Sequence, residues 1–422
     1  MTHHPRGRHF TAADRAFATG GGLVTRVAAR GFARVIDRID AGLEQGGIDA
    51  TLPDGSKRLV GGRAPGPVPV VHLHSWRALA RLATSGSVGW YKAWQLGEWS
   101  SPDPVPLFDL FMRNAESLGD TARAKGFFRL VNRLAHRLRG NDKDGAKRNI
   151  AFHYDLGNDF YAAWLDATMS YSSAVFAEPI SAAEPLEAAQ ERKVRLLLDR
   201  LSLKPGQRLL EIGCGWGGLA EIAARDYGVE VVGLTLSAEQ QAWAVARAAK
   251  AGLADRISIR LTDYRDAEGE YDAVASVEMA EAVGQEYWPA YLQSIARVLK
   301  PKGRAALQLI SIREPLFDAY AASADFIQTY IFPGGMLVSE ARFAAIAAEA
   351  GLAWRDRSGY GLHYAETLKR WRARYDAAVA QGRLPAGFDA PFHDLWRYYL
   401  MYCEGGFRGG GIDVVQATLV KG

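Results

Sequence analysis

With 422 residues, 48% of them hydrophobic, the chain exceeds one ordinary domain and has ample apolar material for a core, so two domains are expected. No run of about twenty apolar residues occurs, which argues against a transmembrane helix; two cysteines, Cys214 and Cys403, make neither a disulfide framework nor a cysteine-based zinc site, and suit a reducing cytoplasm. The net charge of +4 conceals an asymmetry: residues 1–150 hold 23 Lys and Arg against 13 Asp and Glu, the remainder 28 against 34, so the basic part is suited to an anionic surface.

The opening MTHHPRGRHF is basic but has no apolar stretch, unlike a secretory signal. Thr11 to Asp14 matches a capping box and predicts a helix to about Leu43, with Val24, Val27, Phe32, Val35, Ile36 and Ile39 at helical spacing and Gly46-Gly47 as its stop. Short strands are expected at 48–52, 57–60 and 68–73, separated by turns at Pro53-Asp54-Gly55 and Gly61-Gly62. Residues 86–103 read as an aromatic-rich helix with a Gly-Glu-Trp exit, and 105–117 as another helix. Over 124–139, Phe127, Leu130, Val131, Leu134 and Leu138 share one helical face, while Lys125, Arg129, Arg133 and Arg137 share another. Such a helix either lies on an anionic membrane, gaining about 1 kcal/mol per basic residue near the surface, or packs on the core with a solvated basic face. Nucleic acid fits less well, since no recognition motif or stacking pattern accompanies the basic residues. This division gives a basic N-terminal domain at 1–140, a linker at 141–148 and a second domain at 149–422.

Residues 149–176 are dense in aromatic and polar groups, as expected of a lid over a ligand, and a helix follows at 186–201. Strands at 209–212, 229–233, 257–260, 271–277 and 304–311 alternate with helices at 216–226, 237–250 and 286–299, the pattern of a doubly wound parallel sheet. The stretch LLEIGCGWGGLA at 209–220 sets an acid and four glycines between the first strand and its helix. It does not match the dinucleotide fingerprint, and no Lys-Ser/Thr pair makes it a phosphate loop. It resembles the S-adenosylmethionine loop of class I methyltransferases; a tight structural βα turn would read the same way.

Taken together, HYDLGNDFY at 153–161, YSSA at 171–174, EIGCGWGGLA at 211–220, GLTLSAEQ at 233–240, DYRD at 263–266, EMAEAVG at 278–284, LKPKGR at 299–304, YIFPGG at 330–335 and YYLMYCEGGFR at 398–408 resemble the cyclopropane-fatty-acyl-phospholipid synthases and their mycolic-acid-modifying relatives. GSVGWYKAWQLGEW in the N-terminal part resembles the small lipid-facing domain of the bacterial synthases. The resemblance implies a Rossmann-like α/β class I methyltransferase domain beside a smaller α+β lipid-binding domain. It also implies a homodimer attached peripherally to the inner face of the membrane, an unsaturated fatty acyl phospholipid as substrate, and no metal. Position by position, it puts Tyr171, Ser172, Glu211, Gly213, Gly215, Thr235, Gln240, Tyr264 and Arg265 at the S-adenosylmethionine site. Glu281, Ile310 and Tyr364 fall in the catalytic pocket, and Cys403 on a nearby cysteine that is not a nucleophile.

The chemistry implied is attack of an alkene on a sulfonium methyl, giving a carbocation that must lose a proton to a base while water is excluded. Aromatic faces such as those of Tyr154, Phe160, Trp164, Tyr171, Tyr330 and Phe332 suit a cation. In the family the base is a bicarbonate ion, and here its ligand set departs. Ser173 replaces the usual cysteine, Gln308 the usual histidine, Ala282 the histidine after the glutamate, and Glu278 the usual glycine. Bicarbonate is therefore expected to be absent or loosely held, with Glu278 or Glu281 taking the proton; on a helix, two carboxylates three residues apart would share a face and one pKa would rise. The expected product is a cyclopropane ring; the alternative, if the cation rearranges, is a methyl-branched or methylene chain. A non-catalytic membrane-binding protein and a small-molecule methyltransferase are the readings from other classes.

Overall fold

Strands rich in Val, Ile, Leu and Ala alternate with amphipathic helices from Arg208 onward, and in the computed structural model they form one seven-stranded sheet. The structure describes Arg6 and residues 29–119, 156–323 and 325–422. The capping box at 11–14, the start of the first helix, the basic helix at 124–139, the linker at 141–148 and the His153-Tyr154-Asp155 half of the aromatic motif lie outside the described residues.

The chain divides into two compact units. One comprises Met1–Arg139 with Arg313–Pro333 and Ala386–Ile412. The other comprises Gly140–Ile312, Gly334–Pro385 and Asp413–Gly422. The contiguous division at 149 therefore differs from the spatial one: the YIFP part of YIFPGG and all of CEGGFR cluster with the N-terminal residues.

In the first unit, β1 (Gly47–Thr51), β2 (Lys57–Gly61), β3 (Val70–Leu73) and β4 (Trp99–Ser100) form a sheet in the order β2-β1-β3-β4. The first three strands match the sequence expectation. The Gly-Glu-Trp exit is strand rather than helix, because the Arg77–Gln95 helix ends at Leu96 and Trp99 pairs with Leu73. Trp99 stacks on Trp90 at 4.5 Å, and its indole N–H donates to the Trp90 carbonyl at 3.0 Å. Tyr91, Phe108, Phe326 and Tyr398 pack edge to face in the same unit, with Tyr91 4.9 Å from Tyr398 and Phe326 4.8 Å from Tyr398.

The second unit holds β5 (Arg208–Ile212), β6 (Glu230–Thr235), β7 (Ile257–Leu261), β8 (Tyr271–Val277), β9 (Leu299–Ile312), β10 (Leu352–Gly359) and β11 (Ile412–Lys421), ordered β10-β11-β9-β8-β5-β6-β7. Pairs β5/β6, β6/β7, β5/β8 and β8/β9 are parallel, as the alternation predicts. The antiparallel β10/β11 pair, separated in sequence by the helices Gly361–Ala380 and Ala390–Arg408, was not expected, since the alternation predicts no strand after 304–311. From β5 the chain winds out to β6 and β7, then returns to β8 on the other flank of β5. The strand order thus reverses between β5 and β8, and ligands of open α/β sheets bind at the carboxyl ends of the strands flanking such a switch. The glycine loop leaves β5 there, and Glu278 is the first residue after β8.

Candidate active site

Gly213 and Gly215 have φ of +80° and +50°, in the left-handed region that glycine enters without strain. A Cβ on Gly213 would collide with the Met279 side chain, so the exits of β5 and β8 touch; a Cβ on Gly215 would meet no protein atom within 4 Å, so this side of the loop is open. Asn158 of the Asn158–Ala162 helix accepts a hydrogen bond from the Trp216 indole at 2.7 Å, and Tyr161 packs on Trp216 at 5.2 Å. The described part of the aromatic motif is thereby laid against the glycine loop.

Two buried polar atoms of the predicted cofactor residues have no hydrogen-bond partner, Glu211 Oε2 and Gln240 Nε2. Burying a polar atom unsatisfied costs about 1–3 kcal/mol, so such atoms mark a place for a polar ligand. Burial pushes the Glu211 carboxyl up to about 8, against the opposing pull of Lys193. A cationic ligand would return it to the carboxylate form. Thr235 donates to Gln240 Oε1 at 2.9 Å and orients that amide. An open glycine cradle, an acid and an amide fit S-adenosylmethionine. Tyr264 is buried against Tyr291, and Arg265 makes a bidentate pair with Asp263 at 2.8 and 2.7 Å while lying over the Tyr264 and Tyr287 rings. Tyr171 packs between Tyr161, Trp164 and Trp371.

The second cluster forms around Glu278. Its Oε1 accepts from the Ser173 N–H at 2.8 Å and the Gln308 amide at 2.9 Å, and its Oε2 from the Tyr364 hydroxyl at 2.7 Å. Its own N–H donates to the Gln308 carbonyl at 2.7 Å, at a φ of +51°. The Ser173 hydroxyl turns away to the Ala174 carbonyl, so the serine contributes its backbone. The segment carrying Ser173 is held by the Gly361–Ala380 helix: Thr367 accepts from the Ala174 N–H at 3.1 Å, and His363 Nδ1 from the Phe176 N–H at 3.0 Å. Lys193 donates to the Ser172 hydroxyl at 2.6 Å.

Glu281 lies in the one-turn helix Ala280–Val283, and its Oε1 accepts from the Ile310 N–H, whereas its Oε2 is buried without a partner. The two acids do not share a helical face as the spacing had allowed, because Glu278 is left-handed and precedes that helix. Burial raises both carboxyls; three donors and Lys193 oppose the rise at Glu278, whereas Glu278 itself adds to it at Glu281, which reaches about 8. Charge-assisted hydrogen bonds at about 1.5–3 kcal/mol each offset a desolvation cost of several kcal/mol when there are three, and not when there is one. The three donors thus favour the anion at Glu278 more than the single donor does at Glu281, so of the pair Glu281 is the one biased towards holding a proton.

Ser173, Glu278, Gln308 and Tyr364 thus come together, with Glu281 and Ile310 forming a second pair. Cys403 belongs to the other compact unit, where burial and Asp325 raise its thiol pKa, as befits a cysteine that is not a nucleophile. Sequence reasoning missed Gln190, Lys193 and Gln416. The signal was available: Gln190 and Lys193 share the stripe of Leu186 and Leu197 at i, i+4, i+7 and i+11, and Gln416 interrupts the apolar β11 between Val415 and Ala417.

The profile of the mycolic acid cyclopropane synthetase family matches residues 141–417. The chain is 40% identical to a tuberculostearic acid methyltransferase of Mycobacterium tuberculosis over 85% of each chain. It is 33% identical to the cyclopropane-fatty-acyl-phospholipid synthase of Escherichia coli, over 86% of this chain and 90% of the relative. The crystal structure of a mycolic acid cyclopropane synthase complexed with SAH and CTAB matches with a TM-score of 0.60 and 32% identity, covering 65% of this chain and 98% of the other. With the glycine cradle at the strand-order switch already placed, these matches show that the chain belongs to the mycolic acid cyclopropane synthetase family of S-adenosylmethionine-dependent methyltransferases.

Proposed function

We propose that the chain transfers the methyl group of S-adenosylmethionine to the double bond of an unsaturated fatty acyl chain of a phospholipid, and that Glu278 accepts the proton the adduct loses. The observation that carries this is the convergence of the Ser173 N–H, the Gln308 amide and the Tyr364 hydroxyl on the Glu278 carboxylate. Those are positions that the resemblance gives to the bicarbonate site; here the carboxylate they hold belongs to the chain. The relatives named for tuberculostearic acid and for fatty-acyl phospholipids support the substrate class.

Bound at the glycine cradle, S-adenosylmethionine supplies an electrophilic methyl, and its addition to the alkene leaves a carbocation on the acyl chain. The rings of Tyr364, Trp371, Tyr171 and Trp164 form a continuous aromatic series, each within 6.1 Å of the next, suited to such a cation. A carboxylate that already accepts three hydrogen bonds is a weaker base than one with open lone pairs. The cation then has time for a hydride to shift from the methylated carbon to its neighbour, turning a secondary cation into a tertiary one. Loss of a methyl proton to Glu278 leaves a methylene group. A methyl cation enters and a proton leaves, so no oxidant or reductant is required. The 40% identity with a protein named as a methyltransferase supports this order of events. Ring closure is the second reading, favoured by the 33% identity with a cyclopropane synthase; there the proton leaves before the hydride moves.

The test is mass spectrometry of lipids from a cyclopropane-free bacterium expressing the chain and fed methyl-deuterated methionine. A one-carbon gain with two deuteriums and a reducible terminal double bond is the expected result. Two deuteriums without a double bond identify the ring, and no label in lipid overturns both readings. The same proposal has the enzyme act peripherally on an anionic membrane, which the basic excess in residues 1–150 supports, and as a homodimer on the cytoplasmic face, as the family resemblance implies. Co-sedimentation with phosphatidylglycerol vesicles, weakening as salt rises, is expected; equal binding to neutral vesicles would contradict it.

A further inference from the structure

We propose that Lys193 is a positioning residue for the proton-accepting step: its buried ammonium, bonded to Ser172 beside the amide that holds Glu278, keeps the Glu278 carboxylate ionised. This rests on the reading of Glu278 as the base.

Lysine on a helix normally runs its stem along apolar surface and leaves its ammonium in water. Lys193 does not; it is 2% exposed, one turn from Gln190, which is fully buried. The two residues grip Ser172 together, Gln190 Nε2 donating to its carbonyl at 2.9 Å and Lys193 Nζ to its hydroxyl at 2.6 Å. The next N–H along the chain, that of Ser173, is a donor to Glu278. A second route runs through the other side. Gln416 Nε2 donates to the Lys193 carbonyl at 3.1 Å and to Gln308 Oε1 at 3.0 Å, and Gln308 Nε2 donates to Glu278. The Leu186–Asp199 helix is thus tied to the Glu278 carboxylate from two directions.

Holding Ser172 in place requires a donor, not a charge. Burying a full charge is unfavourable unless an opposite charge compensates it. The acidic groups acting on Lys193 are Glu278 after β8, Glu211 of β5 and Asp166 of the 156–178 segment. Of these only Glu278 accepts three hydrogen bonds from other groups, which favours its anion. Facing Glu278 are Lys193, Tyr364, Gln308, the Ser173 amide and, from its own segment, Glu281. Lys193 is the cation named among them. Its ammonium, lowered by burial to about 8, is still charged at neutral pH.

The test uses the full chain with Lys193→Met, which removes the charge at similar length, and Lys193→Gln, which retains a donor for Ser172. Two readouts are followed: the pH profile of kcat, and infrared titration of the protonated carboxyl band assigned by its loss in Glu278→Gln. Both Lys193 variants should move the acid limb and the midpoint of the carboxyl band upward by about one pH unit or more, which on the acid limb is about a tenfold loss of kcat relative to wild type that recovers as pH rises. A uniform drop in kcat with limb and band unmoved overturns the inference, as does wild-type behaviour of Lys193→Gln. Wild-type turnover in Glu278→Gln would instead remove the base reading and this inference together. An inactive Glu278→Gln with an unmoved limb in both Lys193 variants removes this inference alone.

Discussion

Glu278→Gln should lower kcat by about 10²–10⁴-fold, the usual contribution of a general base, with the melting temperature and S-adenosylhomocysteine affinity close to wild type. The amide can occupy the carboxylate's place. Its oxygen accepts from the Ser173 N–H and the Gln308 amide, and its nitrogen faces Tyr364, whose hydroxyl can accept instead of donate. What is lost is the ability to take a proton. Glu278→Gly makes a sharper test. At a φ of +51°, glycine is favoured over glutamate, and three donors are left without their anion. Added bicarbonate should then restore part of the lost turnover in the glycine variant and none in Glu278→Gln, in which the place is filled. Full activity in Glu278→Gln, or no response of Glu278→Gly to bicarbonate at any concentration, would count against a carboxylate in this position as the base. The pH dependence follows the same logic. Burial raises the Glu278 carboxyl above its ordinary value, and the base works as the anion, so kcat in the wild type should fall as pH drops through that raised value.

The identity of these residues was legible in the sequence, but their arrangement was not. The pattern of apolar strands from Leu209 to Ile312 dictated the parallel core of the sheet, because strands buried on both faces read as continuous apolar runs. The β10/β11 pair escaped notice because Arg355, Asp356 and Arg357 make β10 polar on a partly exposed edge. Glu278 stood out as an unusual acid next to a strand end, yet periodicity alone could not tell a solvent-facing side chain from an inward one. The left-handed backbone at Glu278 decides the matter, and that conformation is invisible in a residue type that rarely adopts it. The spacing argument for a shared Glu278–Glu281 face failed for the same reason.

Lys193 shows the opposite case. Its position on the apolar stripe of the Leu186–Asp199 helix was readable from spacing, but a lysine there is ordinarily assumed to reach solvent. Only the partners of its ammonium reveal that it does not. Arg265 also needed the structure: its guanidinium pairs with Asp263 two residues away and so stiffens the Asp263–Tyr264–Arg265 turn.

The cofactor cradle allows a loss of binding to be separated from a loss of fold. Gly215→Val should weaken S-adenosylhomocysteine binding by about two orders of magnitude in calorimetry, since the added side chain enters the open side of the loop, where no protein atom lies within 4 Å. A β-branched residue at a φ of +50° also carries backbone strain, about 1–3 kcal/mol, which by itself lowers the melting temperature. Gly252 supplies the control. It has a φ of +69° and equally open surroundings, but sits in the turn after the Ala238–Lys250 helix. Gly252→Val should therefore show a comparable fall in melting temperature with unchanged affinity. If the two variants lose affinity alike, strain explains the effect and the open face of Gly215 is not where the ligand lies. If Gly215→Val binds as the wild type does, the cradle itself is misassigned. A selective loss at Gly215 would place the ligand on the open side of the glycine loop that follows Glu211, whose buried Oε2 lacks a partner.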